Sequence, residues 1–244
     1  MEHERVRFGT VVFDCDSTLS AVEGIDELAG SVREEIARLT DAAMRGEVTL
    51  EAVYGRRLDI VRPTRVQVEA LGRKYIDELV PEAREVVAAL RAEGVMVRII
   101  SGGLLPAVRA LARELGLGDD DVAAVDVRFD AAGSYAGFDD RSPLARSGGK
   151  REVLREWRAV LPRPVMFVGD GATDLEARDV VDRFVAFAGV IERETVIASA
   201  DAVIRARTLA PVLPMALGSA PASAAHRRTY ELGLSFMEDS ARTR

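Results

Sequence analysis

Two acidic residues separated by a single residue, Asp14 and Asp16, stand at the end of the apolar run Val11-Val12-Phe13. The β-branched run predicts a buried strand. Side chains alternate along a strand, so Asp14 and Asp16 leave on the same side if the extension continues. Like charges that close repel and lose hydration unless a cation lies between them. A hard cation with oxygen ligands answers this, and Mg2+ is the usual one where phosphate is handled. Taken alone, Asp14-Cys15-Asp16-Ser17-Thr18 serves as well for a solvated turn or a helix cap.

Other polar clusters close other apolar runs. Ser101-Gly102-Gly103 follows 95–100, and Gly169-Asp170-Gly171-Ala172-Thr173-Asp174 follows 165–168. Gly148-Gly149-Lys150 opens a helical pattern. Open parallel sheets bind ligands outside the carboxyl ends of their strands. One edge would then gather four carboxylates, a hydroxyl, glycine backbone that can approach an anion, and an ammonium. Each cluster alone reads as a turn; their joint occurrence in this order does not. The only histidines are His3 and His226 and the only cysteine is Cys15, which argues against a Cys/His zinc site, a Ser-His-Asp triad or a Cys-His pair. Carboxylates are left to move protons. Lys74 and Lys150 are the only lysines among 33 basic residues, a weak sign of a site wanting a compact ammonium.

The elements that must place these residues follow from periodicity. A strand is predicted over 7–13. Val32, Ile36, Leu39 and Ala43 recur at helical spacing, and further helices are expected from Thr49 to Val61 and from Thr64 onward. Strands and helices alternate after Pro81: a helix ending at Gly94, a strand over 95–100, a helix over 106–115, a hairpin of 122–129 with 135–138, and short strands at 184–187 and 202–204. A short helix is expected over 229–238, with its packing open. The pattern predicts an α/β fold, a Rossmann-like, mostly parallel sheet with helices on both faces. A small helical cap is inserted after the first strand. The expected division is a core of 1–18 and 81–218, a cap of 19–80 and a tail of 219–244.

With 244 residues, 48% hydrophobic and 30% charged, the chain is an ordinary globular one. No apolar run approaches a membrane span, and a net charge of −7 gives no pull toward nucleic acid or anionic membrane. A cytoplasmic location is expected, from the absence of a leader-like segment and from the single cysteine.

Phe13-Asp-Cys-Asp-Ser-Thr, Ser101-Gly-Gly, Lys150 and Gly169-Asp-Gly-Ala-Thr-Asp174 resemble the four motifs of the haloacid dehalogenase-like phosphohydrolases. Val22-Glu23-Gly24-Ile25-Asp26-Glu27-Leu28-Ala29, Tyr135-Ala136-Gly137-Phe138-Asp139 and the extended Gly169–Ala177 run are similar to the branch that hydrolyses O-phospho-L-serine in serine biosynthesis. The likeness covers about 11–217. It implies Asp14 as nucleophile, forming an aspartyl-phosphate, and Asp16 as general acid and then base. It implies Mg2+ on the Asp14 carboxylate, the Asp16 backbone carbonyl and Asp170, with Asp174 orienting a water or the adjoining loop. Ser101, Gly102 and Gly103 would bind phosphoryl oxygens and Lys150 would offset their charge. Glu23 would bind the substrate ammonium and Arg57 its carboxylate, with Met44 and Thr173 nearby.

Arg45 and Cys15 depart from the pattern. The family shows glycine at the first, so the cap loop is expected to sit differently; Cys15 reads as packing. Alternatives left open are another small phosphomonoester such as phosphothreonine or a sugar phosphate, transfer to an acceptor alcohol, and a non-catalytic phospho-ligand-binding regulator. Oligomeric state is open as well.

Overall fold

The computed structural model of the chain describes residues 6–45 and 47–242, with side chains for all of these but Met44 and 238–242. β1 (Thr10–Phe13) is buried along its length. It begins later than the predicted 7–13 because Phe8 bonds instead to the Ala216 carbonyl, which holds the approach to the strand against a distant helix end. The helical stretch contains α1 (Gly24–Leu28), α2 (Arg33–Met44), α3 (Leu50–Val61) and α4 (Arg65–Asp77). At five residues α1 is too short to show a helical period, and it was not expected. Thr64 starts α4 through a reciprocal box with Gln67. Thr49 precedes α3 but makes no side-chain cap; Ser147 Oγ takes the Leu50 amide at 2.9 Å instead.

After α5 (Ala83–Ala92), β2 (Met96–Leu104) runs four residues past its predicted end at Ile100. Its register to β3 shifts between Ile100 and Leu104, where glycines leave no side-chain pattern to read. α6 (Leu105–Glu114) leads to β3 (Val122–Val125), which lies parallel to β2. β4 (Val127–Phe129) pairs antiparallel with β5 (Tyr135–Phe138). The single strand expected over 122–129 is therefore two, broken at Asp126, whose carboxylate accepts the Val127 amide. The remaining elements are α7 (Gly149–Trp157), β6 (Val165–Gly169), α8 (Ala172–Leu175), β7 (Arg183–Phe187), α9 (Glu194–Ser199), β8 (Ala202–Ile204), α10 (Val212–Ala216) and α11 (Ala224–Arg242). α11 exceeds the expected 229–238 and packs against α5 and α10.

Among the described residues, β3-β2-β1-β6-β7-β8 form one sheet in that order, with every pairing parallel. Strand order runs outward from β1 one way and from β6 the other. Right-handed crossovers then put helices on opposite faces, and the carboxyl ends of β1 and β6 flank the point where the order reverses. Val11, Val12 and Phe13 on β1 and Met166, Phe167 and Val168 on β6 are fully buried, as strands covered on both faces must be. A rigid pair of central strands thus carries Asp14 and Asp170 to one edge.

Candidate active site

β1 continues its ladder one residue beyond Phe13, with the Asp14 amide bonded to the Val168 carbonyl at 2.9 Å. Asp14 is therefore placed by the sheet itself. The chain then turns through Ser17, whose φ of 53° lies in the left-handed region. Ser17 Oγ donates to Glu23 Oε1 at 2.7 Å, which ties the turn to the start of α1. Asp16 Oδ2 accepts the Gly24 amide at 3.4 Å, while Asp16 Oδ1 is buried without a partner.

At the end of β6, Asp174 Oδ2 accepts the amides of Asp170 and Gly171 at 3.1 and 2.9 Å. A Cβ on Gly169 would stand 2.4 Å from Asp174 Cγ, so only glycine lets that carboxylate fold back beneath the strand end. Lys150 Nζ bridges Asp14 Oδ1 at 2.7 Å and Asp174 Oδ1 at 2.5 Å. It reaches them because α7 starts in contact with the preceding turn: a Cβ on Gly149 would fall 1.7 Å from the Pro143 carbonyl oxygen.

Asp14, Asp16, Glu23, Arg57, Lys150 and Asp170 line one cleft, and Ser101, Gly102 and Thr173 face it as well. Asp174 lies beneath, fully buried. Gly103 does not line the cleft; its amide donates to Ser101 Oγ at 2.9 Å and so orients that hydroxyl. The Met44 side chain lies outside the described residues. Arg45 has right-handed backbone, stands exposed and pairs with Asp41 at 2.6 Å and Glu47 at 2.8 Å, so its charge is met at the surface. Cys15 is fully buried, as packing requires.

Oxygens of Asp14, Asp170 and Asp174 lie within 4.8 Å of one another. Burial, then Asp174, pushes the Asp14 carboxyl well up. Burial and Glu23 raise Asp16 to about 7, and burial raises Asp170 to about 8 against the opposing pull of Arg193. Burial alone would discharge Lys150, but Asp14 and Asp174 override it and hold the ammonium charged. Lys150 thus pairs with Asp14 and Asp174, and Arg193 with Asp170 and Glu23, while Asp16 has no ion-pair partner among the described residues. Carboxylate oxygens alone as donors, gathered within 4.8 Å at a buried site, fit a hard divalent cation.

Sequence reasoning missed Arg193. Its guanidinium is buried, pairs with Asp170 Oδ2 and lies 3.6 Å from Glu23 Oε1. In a chain whose basic residues are nearly all arginine, nothing local marks this one. Thr18 was missed also; its hydroxyl meets Asp170 Oδ1 at 3.4 Å.

Residues 8–178 match the haloacid dehalogenase-like hydrolases, and the chain belongs to that family. It is 39% identical over 189 residues to the phosphoserine phosphatase of Bos taurus, covering 76% of this chain and 84% of that one. The chloroplastic phosphoserine phosphatase of Arabidopsis thaliana is 39% identical over 196 residues, covering 78% and 66%. Among solved structures, a phosphoserine phosphohydrolase-like protein from Francisella tularensis superposes with a TM-score of 0.75 at 26% identity, covering 81% of this chain and 95% of that one. Among the described residues no helix is long and apolar enough to cross a membrane.

Proposed function

We propose that the chain is a Mg2+-dependent phosphomonoesterase that hydrolyses O-phospho-L-serine to L-serine and phosphate through an aspartyl-phosphate. The carrying observation is Asp14, fixed by the β1 ladder and by Lys150, at the base of a cleft whose wall holds both Glu23 and Arg57. The 39% identity to a phosphoserine phosphatase over most of both chains supports the substrate.

Asp14 and Asp170, with the Asp16 backbone carbonyl, would hold the metal. Asp174 would position them, since both its oxygens are already engaged by Lys150 and the loop amides. When bound, Mg2+ supplies charge that offsets the phosphoryl oxygens. An oxygen of Asp14 attacks phosphorus in line while the serine oxygen leaves. Asp16, its carboxyl raised by burial and Glu23, delivers a proton to that oxygen and then takes one from the incoming water. Ser101 Oγ, oriented by Gly103, and the Gly102 amide bind phosphoryl oxygens, with Thr173 beside them. Lys150 balances Asp14 before attack and the transferring group during it. Glu23 takes the ammonium, and the planar fork of Arg57 takes the carboxylate.

The stretch 19–80 acts as a lid over a core of 1–18 and 81–218. Three contacts support this: Tyr54 donates to the Gly102 carbonyl at 2.7 Å, Leu50 to Ser147 at 2.9 Å and Ser147 to Glu51 at 2.9 Å. The cavity volume beneath is about 40 Å³, room for a few waters, which supports a lid that lifts to admit a phosphomonoester. A cytoplasmic site of action, in keeping with one buried reduced cysteine, completes the proposal.

Phosphate release across a panel of phosphoserine, phosphothreonine, phosphoethanolamine and sugar phosphates tests it. Phosphoserine is expected to give the highest kcat/KM, with no release in EDTA. Preferred turnover of another member would refute the substrate, and EDTA-insensitive release would refute the metal.

A further inference from the structure

We propose that Asp26 and Thr40 are a positioning relay that aims Arg57 into the cleft and thereby sets the preference for a phosphomonoester carrying a carboxylate. The inference rests on the reading of Arg57 given above and adds two residues behind it.

The three side chains come from three successive helices, Asp26 from α1, Thr40 from α2 and Arg57 from α3, and all are buried. Arg57 Nη1 donates to Thr40 Oγ1 at 2.7 Å, and Thr40 Oγ1 meets Asp26 Oδ1. The polarity of this chain is forced. A guanidinium only donates, so the threonine oxygen accepts from it and sends its single proton to the carboxylate. A second contact comes from the side: the guanidinium lies over the Tyr54 ring, 5.6 Å from its centroid, and Tyr54 is itself held to the Gly102 carbonyl at 2.7 Å. The ring confines the guanidinium from one side, and the Thr40 bond holds Nη1 from another.

The interposed hydroxyl has a consequence that a direct Asp–Arg pair would not. A bidentate carboxylate would occupy the fork and neutralise it. Here one N–H is used, Arg57 Nε is buried with no partner, and Arg57 lines the cleft. The guanidinium thus keeps donors for a planar anion in the cleft. Burial pushes the Asp26 carboxyl up to about 6, so holding its charge costs stability, and an apolar trio of similar volume would serve mere packing better. Asp26 also lies three residues after Glu23, within one helical turn, so α1 addresses both polar ends of an amino acid: the ammonium through Glu23 and the carboxylate through the relay.

The test uses the full chain with Mg2+ and two ligands: phosphoserine, and phosphoethanolamine, which keeps phosphate and ammonium but lacks the carboxylate. The second is read as a substrate or as a competitive inhibitor. Thr40→Val is expected to raise KM for phosphoserine about tenfold, the scale of one hydrogen bond to a charged group, with kcat within about twofold. Phosphoethanolamine should be unaffected, and Thr40→Ser should restore the wild-type constants. In an Arg57→Ala background Thr40→Val should add nothing. Equal losses on both ligands, or losses that add in that background, would overturn the relay. Should Thr40→Val not fold, Asp26→Asn replaces it, since an amide oxygen still accepts from Thr40 without the charge. A few-fold rise in KM for phosphoserine alone is then expected, and an unselective effect overturns the relay. Arg57→Ala that weakens both ligands equally would sink the reading of Arg57 itself; a selective Arg57→Ala beside an unselective Thr40→Val sinks only the relay.

Discussion

Lys150 holds together two carboxylates that would otherwise repel in a buried site, Asp14 and Asp174. Removing the shared partner of a buried ion pair leaves uncompensated charge and costs about 3–5 kcal/mol. Lys150→Met is therefore expected to lose stability of that order in urea melts in EDTA, as well as activity. The loss should grow from pH 5 to 8, because Asp14, its carboxyl already raised by burial, must then ionise without its cation. A pH-independent loss would show that Lys150 acts only by packing. Asp26 gives a second test of sign. Its carboxyl rises to about 6 when folded, above the 3.8 of an exposed one, so the folded state binds its proton more tightly. This group favours folding below about pH 4 and costs stability progressively between pH 4 and 6. Asp26→Asn removes that slope. The melting temperature of the wild-type chain, minus that of Asp26→Asn, should fall as pH rises from 4 to 7.

At the scale of elements, each site residue is aimed by a short junction. The start of α7 is set by the contact of Gly149 with the Pro143 carbonyl. An alanine inside a helix normally stabilises by up to about 1 kcal/mol over glycine. Here the added Cβ, 1.7 Å from backbone oxygen, must push α7 or the 143–147 turn aside. Gly149→Ala is expected to destabilise by about 1–3 kcal/mol, as overpacking does, and to cut kcat through Lys150 rather than change KM. A more stable Gly149→Ala with full activity would show that this junction adjusts freely. The helices over the cleft are pinned to the core through Tyr54 and the exchange between α3 and Ser147. In the proposed lid motion these few hydrogen bonds, unlike the continuous strand ladder below, are the ones that would break and re-form.

For the molecule as a whole, the cluster of buried carboxylates links the proposed metal to the stability of the fold. A ligand that binds only the folded state stabilises it by about 2.7 kcal/mol at a hundred times its Kd. Added Mg2+ should raise the melting temperature, and Asp170→Asn should abolish the rise; that variant starts from a lower melting temperature, because Arg193 loses its buried partner. An undiminished Mg2+ shift in Asp170→Asn would place the ion elsewhere. Much of the architecture was legible beforehand. Asp14 and Asp170 directly follow the ends of β1 and β6, where apolar runs give way to polar residues, and the geometry of a strand end is local, written in the few residues on either side of it. The alternation of strands and helices gave the parallel sheet for the same reason. Where glycine erased the pattern, as from Ser101 to Gly103 in β2, or where a helix was as short as α1, local reading stopped short. Arg193 beside Asp170, Thr40 between Asp26 and Arg57, and α11 against α5 and α10 were decided only by tertiary structure. Their partners lie on other elements, and which helix face meets which depends on the packing of the whole chain.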